Sequence, residues 1–463
     1  MIDFNLKHLY NQYELLIYTI LILSEDVMEN KLYNLTMPQK SILLTEQYYS
    51  NTYINNICGT AIIKEKIDFK ILEKAVNFFL ESNDSFRLKF IKQDNTIKQY
   101  VEKYYYKKIK LVELQSENDL STLENNLVNN IYNLEETYYE INMFRFPDSS
   151  GGFLCNIHHI AADSWTLGLI CKKIMHAYNN LINNIENEIN IEQSYIKYIE
   201  TEAEYFNSSK YNKDKTFWEN KFETLPNIIN LPSSKSNTNS AFNCTANRLL
   251  FVLPKDYVNR INKFCNSHKI SIFNFFMAAL STYIHKVTNS NKFVVGTPIL
   301  NRTNFNEKNT TGMFINIAPF LIDINKTETF SEIVSKISTE SISLLRHQRY
   351  PYSEILKYVR NKDTNFPTLF NVLLSYQITI ANNETNIEHT TRWTFNGTCA
   401  DDIDIQIFDL NDTHELNIAY DYKTSKFNKK DIIKLHKQLT SIIEQVLENE
   451  DVIIQDLDLL SDK

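Results

Sequence analysis

Apolar positions along this chain recur alternately at the spacing of helices and of strands, which predicts a mixed α/β architecture. The stretch 69–82 carries apolar side chains at 72, 75, 76, 79 and 80, the spacing of a helix with one buried face. The stretch 152–157 is short and mostly apolar, as in a buried strand, and 164–181 returns to helical spacing.

The same patterning predicts elements through the rest of the chain. In the first half we expect helices at 38–50, 120–131 and within 191–222, and strands at 58–64, 86–91 and 98–101. The polar, turn-rich stretch 231–240 is the best linker candidate. Beyond it we expect helices at 254–266, 271–288 and 429–448, and strands at 247–253, 292–296, 315–324, 370–376, 394–395, 402–410 and 415–422.

Length and composition are those of an ordinary globular protein with two domains. A chain of 463 residues is too long for one simple hydrophobic core, which suggests two domains. Of its residues 43% are hydrophobic, as in ordinary globular proteins. A net charge of −8 without a basic block argues against nucleic acid as a partner. The six cysteines are scattered, which argues against a disulfide framework or a zinc ribbon and favours the cytoplasm.

The sequence supports neither a membrane-associated protein nor an enzyme that uses a nucleotide. The apolar run 15–23 is too short to span a bilayer and has no small residues suited to signal cleavage after it, so we expect no membrane association. The chain has seven glycines in all and no glycine-rich phosphate loop, so a nucleotide-driven reaction is not indicated.

The most informative stretch is HHIAAD at 158–163, between a predicted strand and a predicted helix that Asp163 or Ser164 can cap. Histidine suits acyl transfer because its unperturbed pKa allows proton transfer near neutral pH. Neighbouring strand residues face opposite sides of a sheet, so at most one of His158 and His159 can point into a given cleft. The spacing does not fit zinc ligands, and we expect no metal.

This HHxxxD core resembles that of the condensation domains of nonribosomal peptide synthetases, in the superfamily of chloramphenicol acetyltransferase. Because the first two positions are histidines and Trp165 follows shortly after, the motif is similar to that of the condensing type. The resemblance covers nearly the whole chain, about residues 35–460. Further blocks resemble the family's motifs in the expected order, at 35–39, 83–90, 296–302, 312–319, 346–352 and 369–377.

The resemblance implies two chloramphenicol-acetyltransferase-like lobes in a V-shaped pseudo-dimer with a tunnel between them. The lobes would cover 34–190 and 246–463, joined by helices and a linker over 191–245. Residues 1–33 lie outside the resemblance; they are a docking element or an over-long gene start, and we favour the second.

The implied reaction is peptide-bond formation between a donor acyl or aminoacyl thioester and the amine of an acceptor aminoacyl thioester. Donor and acceptor peptidyl carrier proteins would supply the phosphopantetheine arms, and the domain would bind no cofactor itself. An adenylation domain usually follows such a domain. We expect a monomer, and an N-terminal position permits a starter role with a fatty acyl donor.

The resemblance also assigns roles to residues. His159 would accept the proton of the amine or hold the amine in line, and His158 would support the loop. Asp163, if buried, needs a cationic partner, because an unpaired buried carboxylate is very costly. Arg302 is the first candidate for that partner and Arg87 the second.

Three further residues concern the tunnel. Ser164 stands where the family usually has glycine, whose amide has been considered an oxyanion donor; a serine amide can still donate, while its side chain narrows the site. Asn316 and Gln377 are candidate polar groups of the tunnel, and the interpretation that they are ordinary strand-end amides is equally open.

The sequence leaves two other functions open. One is a coenzyme A-dependent acyltransferase that acts on a small alcohol or amine without a carrier protein. The other is a catalytically silent docking domain, although relatives of that kind usually lose the second histidine, and His159 is present.

Overall fold

The computed structural model describes residues 31–235, 242–378 and 387–459. These residues form a three-stranded, a five-stranded and a six-stranded sheet, with helices packed against them. The mixed α/β class predicted from the sequence is therefore confirmed. Most of the predicted extension 1–33 and half of the predicted linker 231–240 lie outside the described residues.

The first half of the chain, residues 31–235, mixes strands and helices and ends in three consecutive helices. Its elements are β1 (Tyr33–Asn34), α1 (Met37–Tyr48), β2 (Asn56–Ile63), α2 (Phe69–Ser82), β3 (Leu88–Gln93), β4 (Thr96–Val101), β5 (Lys110–Glu113), α3 (Glu117–Val128), β6 (Tyr139–Arg145), β7 (Gly151–His158), α4 (Ser164–Ile182), α5 (Tyr195–Phe206) and α6 (Ser209–Lys221).

The second half, residues 242–459, repeats this mixture. Its elements are β8 (Ala246–Leu253), α7 (Lys255–His268), α8 (Ile272–Thr288), β9 (Lys292–Ile299), α9 (Phe305–Asn309), β10 (Asn316–Asp323), α10 (Phe330–Arg346), α11 (Tyr352–Lys362), β11 (Val372–Ile378), β12 (His389–Thr394), β13 (Ile403–Asp409), β14 (Leu416–Lys423) and α12 (Lys429–Glu448). Within the described ranges, no helix is both long and apolar enough to cross a membrane.

The five-stranded sheet, in the order β12-β2-β7-β6-β5, carries the histidine motif at the end of β7. Strands β2 and β7 are antiparallel, with Asn56 opposite His158. Helices α2 and α4 cover one face, where Leu72 and Phe79 share an apolar core with Ile170 and Ile174. This packing fixes the end of β7 and the start of α4 relative to each other.

The six-stranded sheet, in the order β10-β9-β11-β13-β14-β8, belongs wholly to the second half of the chain. Strand β11 runs parallel to both of its neighbours, β9 and β13, and the other pairs are antiparallel. Helices α8, α10 and α12 share its large apolar core.

One strand of the second half completes the sheet of the first half. Strand β12 pairs antiparallel with β2, with Trp393 opposite Gly59. The sequence predicted a short strand at 394–395, whereas the strand occupies His389–Thr394. Since β12 hydrogen-bonds along β2, the two halves of the chain are joined by a continuous ladder.

Candidate active site

The histidine motif occupies the turn between β7 and α4. The amide of His158 donates to the Tyr138 carbonyl and that of His159 to the Asn55 carbonyl, both at 2.7 Å. Strand β7 ends at His158, so His159 lies beyond the strand, in the turn. The rule that neighbouring strand residues face opposite sides of a sheet therefore does not apply to His159.

His158 is a buried support of this turn. Its side chain is 3% exposed, and its Nδ1 accepts a hydrogen bond from the Ile160 amide at 3.2 Å. Because Nδ1 accepts, the proton of the neutral ring lies on Nε2, which contacts Glu46 Oε2 at 3.2 Å. Burial raises the pKa of Glu46, but the hydrogen bonds from His158 and Asn55, with the charge of the His158 ring when it is protonated, together lower it. Both ring nitrogens of His158 are thus engaged.

His159 has a different environment. Its side chain is half-buried, and its Nδ1 is buried without a hydrogen-bond partner among the described residues. Burial lowers the pKa of the imidazole, and the opposing attraction of Asp163 does not restore it. The lowered pKa favours the neutral imidazole, which is the form that accepts a proton.

Asp163 is the N-cap of α4 and is fully buried. Its Oδ1 accepts from the amide and the hydroxyl of Thr166, each at 2.9 Å. From the second half of the chain, its Oδ2 accepts from the Phe314 amide at 3.0 Å and from the Ile315 amide at 3.3 Å. The carboxylate is therefore surrounded by donors from both halves.

Arg302 is the cationic partner of Asp163. Its Nη1 donates to Oδ2 at 2.7 Å and its Nη2 to Oδ1 at 3.1 Å, with both side chains excluded from solvent. The guanidinium also lies 4.0 Å from the centre of the Phe314 ring. Burial would raise the pKa of Asp163, but the charge and hydrogen bonds of Arg302 lower it below its usual value. Asp163 is ionised and fully engaged, so the geometry gives it a positioning role.

Arg87, the second candidate partner, lies in another environment. Its Nη1 donates to the Glu102 carbonyl at 2.9 Å. Among the described residues, the side-chain donors to Asp163 are Arg302 and Thr166. The structure therefore brings Arg302, and not Arg87, to the motif.

A cavity of about 210 Å³ lies between the two halves of the chain, and we call it the interlobe cavity. Ser164, the first residue of α4, lines it directly after Asp163. The first half contributes Gly59, Thr60, Ala61, Phe153, Cys155, Ser164, Trp165, Leu167, Gly168, Ile170 and Cys171, and the second Pro298, Leu300, Ile315, Tyr376, Gln377, Thr391, Trp393 and Leu410. No Asp, Glu, Lys or Arg is among these lining residues.

The two predicted tunnel amides differ in position. Gln377 lines the interlobe cavity, and its Nε2 makes a long hydrogen bond of 3.5 Å to Ser375 Oγ. Its Oε1 is buried and has no partner among the residues that the structure describes. Asn316 does not line the cavity, and its Nδ2 donates to the carbonyls of Gln348 and Tyr350 at 3.0 and 2.8 Å. Asn316 therefore has the contacts of a strand-end amide that secures a loop.

Acidic, histidine and cysteine side chains do not gather into a metal site in the part of the chain that the structure describes. In its three ranges, no group of three or more His, Cys, Asp or Glu side chains is placed to hold a metal ion.

Comparison with known proteins identifies relatives over nearly the full chain. A family model described as "Condensation domain" matches residues 29–463. Surfactin synthase subunit 1 of Bacillus subtilis (strain 168) is 30% identical over 450 residues, which cover 94% of this chain and 12% of the relative. A dimodular nonribosomal peptide synthase of the same organism is 24% identical over 439 residues, covering 92% and 18%. The chain thus spans less than a fifth of these two relatives.

Solved structures show the same fold. A starter condensation domain of rhizomide synthetase, in complex with C8-CoA and Leu-SNAC, matches with a TM-score of 0.82 at 18% identity, covering 94% of this chain and 99% of that one. The first condensation domain of the calcium-dependent antibiotic synthetase, with a substrate analogue, matches with a TM-score of 0.80 at 14% identity, covering 93% and 99%.

Proposed function

Since this chain belongs to the condensation-domain family of nonribosomal peptide synthetases, we propose that it acylates the α-amino group of a carrier-bound aminoacyl thioester. Condensation domains of these synthetases catalyse amide-bond formation. In the proposed step the amine nitrogen attacks the carbonyl carbon of the donor thioester. The C–N bond forms, the C–S bond breaks, and a proton passes from the nitrogen to the departing thiolate.

The observation that carries this proposal is the environment of His159. An α-amino group has a pKa of roughly 7.7–8.0, so a useful fraction is already neutral at pH 7 and a strong base is not needed. The half-buried, neutral imidazole of His159 suits the remaining task, which is to hold the amine and take its proton as the bond forms. His158 and Asp163 fix the turn on which His159 is held.

The start of α4 would stabilise the charge on the oxygen of the tetrahedral intermediate. The first amides of a helix have no intrahelical acceptor, and a helix N-terminus attracts negative charge. Ser164 is the first residue of α4 and lines the interlobe cavity, which supports the proposal that its amide donates to this oxygen. The departure from glycine at this position keeps the amide and adds a hydroxymethyl group.

We further propose that the donor is a fatty acyl group. The interlobe cavity is lined mainly by apolar side chains and by none that is charged, which suits an alkyl chain. A solved domain of the same fold is a starter condensation domain in complex with C8-CoA. The acceptor would arrive on the phosphopantetheine arm of a carrier protein, and the donor thioester on a second carrier or on coenzyme A.

The test is a transfer assay read by intact-protein mass. Aminoacyl-loaded acceptor carrier is mixed with this chain and with octanoyl donors, presented on a carrier protein or on coenzyme A, beside a panel of aminoacyl-carrier donors. We expect the acceptor carrier to gain the mass of the octanoyl group. Replacement His159→Ala should slow the transfer by roughly 10²–10⁴-fold. The matched control is His176→Ala, since His176 is an exposed histidine on the same helix that begins at the motif.

The outcomes separate the alternatives. Transfer from coenzyme A to a free amine, without any acceptor carrier, would favour the coenzyme A-dependent acyltransferase. A well-folded chain that transfers nothing from any donor would contradict the proposal and favour a docking domain. Unchanged transfer by His159→Ala would remove His159 from the mechanism.

A further inference from the structure

A β-turn at residues 53–56, which we call the support turn, holds the main chain of His159. The turn leads into strand β2, and the Asn56 amide closes it by donating to the Tyr53 carbonyl at 2.9 Å. Within the turn, the Asn55 carbonyl accepts from the His159 amide at 2.7 Å. A displacement of the support turn would therefore move the main chain of His159 with it.

The same turn also supports His158. Asn55 is buried, and its Nδ2 donates to Glu46 Oε2 at 2.7 Å and to the Ile42 carbonyl at 3.2 Å. Glu46 Oε2 is also the atom that contacts His158 Nε2. The support turn thus reaches His159 through the main chain of Asn55 and His158 through the side chain of Asn55.

The side chain of Asn396, from the second half of the chain, holds the support turn. Asn396 follows strand β12. Its Nδ2 lies 3.0 Å from the Asn56 carbonyl oxygen, 3.2 Å from that of Ile54 and 3.3 Å from that of Tyr53. Because carbonyl oxygens only accept, three of them can converge here only around a donor such as this amide nitrogen.

The amide of Asn396 is itself held in orientation. Its Oδ1 accepts from the Thr398 amide at 2.9 Å and from the Thr398 hydroxyl at 2.7 Å. Gly397, between them, has a φ of +79°, which favours glycine. The Tyr49 hydroxyl donates to the Ala400 carbonyl at 3.2 Å, which is a further contact between the two halves in this segment. The contacts of Oδ1 leave Nδ2 to face the support turn.

We propose that Asn396 is a positioning residue for His159. It acts through the support turn, whose carbonyl holds the His159 main chain, and not on the reacting atoms. The Asp163–Arg302 pair ties the end of the histidine motif to the second half of the chain, and Asn396 ties its beginning. This inference rests on the proposed function, because the rate of acyl transfer reports where His159 is placed.

The test replaces the donor of Asn396 with an acceptor of the same shape. Asn396→Asp keeps the oxygen that accepts from Thr398 and sets a second carboxylate oxygen against the carbonyls of the support turn. The readout is single-turnover transfer to the aminoacyl-loaded carrier from the best donor of the panel. We expect a loss of roughly 10–10²-fold, because misplacing a catalytic group by about 1 Å can cost 10²-fold.

A double variant distinguishes positioning of His159 from a general loss of structure. If Asn396 acts through His159, Asn396→Asp should slow the remaining transfer by less than about twofold once His159 is alanine. Asn77→Asp is the matched control, since Asn77 also donates to two carbonyls and accepts from an amide, all within the first half of the chain. It should lower the melting temperature without slowing transfer.

A second readout does not depend on transfer. In histidine-labelled protein, the imidazole NMR signal that disappears in His159→Ala reports the surroundings of this ring. We expect this signal to shift in Asn396→Asp and to stay in place in Asn77→Asp. If Asn396→Asp does not fold, Thr398→Val removes one bond that orients the amide and should give smaller changes in the same direction.

The outcomes separate this inference from the proposed function. An unchanged rate in Asn396→Asp, equal slowing with and without His159, or an unmoved His159 signal would overturn the inference and leave the proposed function standing. Absence of transfer by the wild-type chain from every donor would overturn the proposed function. The His159 signal would then still show whether Asn396 places the ring.

Discussion

Asp163 and Arg302 form a fully buried, bidentate ion pair that joins the first half of the chain to the second. Asp163 caps the helix that follows the histidine turn, and Arg302 follows closely after strand β9 of the other sheet. The same carboxylate accepts from two backbone amides of the second half. The position of the turn that holds His159 is therefore tied to the way the two halves pack.

Breaking this pair should be costly. Arg302→Met leaves the Asp163 carboxylate buried without a cation, and we expect a loss of about 3–5 kcal/mol in the free energy of unfolding. The double variant Asp163→Asn with Arg302→Met removes both charges and should lose less than the sum of the single variants. Urea denaturation of the four proteins measures this coupling.

A surface ion pair provides the control for that cycle. Arg145 and Glu113 are both about half exposed, so Arg145→Met should cost less than about 1 kcal/mol. If Asp163→Asn left both stability and acyl transfer intact, the positioning role of the buried pair would be wrong.

The family and the local structure around the motif could be predicted from the sequence. The helix at 69–82 and the one beginning at Ser164 are confirmed with nearly the expected bounds, because both have apolar residues at helical spacing and a side chain that caps the first turn. Family membership is confirmed as well, since six motif blocks in order are specific even where overall identity is low.

Features that depend on distant pairing could not be predicted. Strand β12 has no apolar alternation in its sequence, and its place beside β2 is decided by a partner strand far away in the chain. Strand β6 was missed although Tyr139, Ile141 and Met143 alternate with polar residues, which is the pattern of a half-buried strand. Glu46 was missed as the partner of His158 because no local pattern links a helix residue to a strand end more than a hundred positions later.

His158 and His159 should respond differently to substitution. His158→Ala removes the acceptor of the Ile160 amide and the partner of Glu46, so we expect a loss of about 1–3 kcal/mol in stability. His159→Ala should leave the melting temperature near that of the wild type and lose transfer. Thermal melts alongside single-turnover assays would show this split, and equal destabilisation by the two variants would contradict it.

The lowered pKa of His159 predicts its titration. Burial disfavours the imidazolium, so the ring should stay neutral to below about pH 6.5, the unperturbed value. Between its folded and unfolded pKa the folded state binds fewer protons, so His159 destabilises the fold as the pH falls through that window.

NMR of histidine-labelled protein tests this directly. The imidazole signal that disappears in His159→Ala should titrate with a midpoint below about pH 6.5 in the wild type. A His159 midpoint at or above about pH 6.5 would show that the attraction of Asp163, rather than burial, dominates the ring.

Variants of Ser164 distinguish the role of the backbone amide at the helix start from the role of the side chain. Ser164→Gly keeps the amide and enlarges the interlobe cavity, so transfer of octanoyl should persist and longer acyl chains should gain most. Ser164→Leu also keeps the amide but fills the cavity, and it should discriminate against long chains. Rates across acyl lengths, measured for both variants beside the wild type, test this. Loss of transfer in Ser164→Gly for every chain length would instead mean that the serine hydroxyl takes part in the reaction.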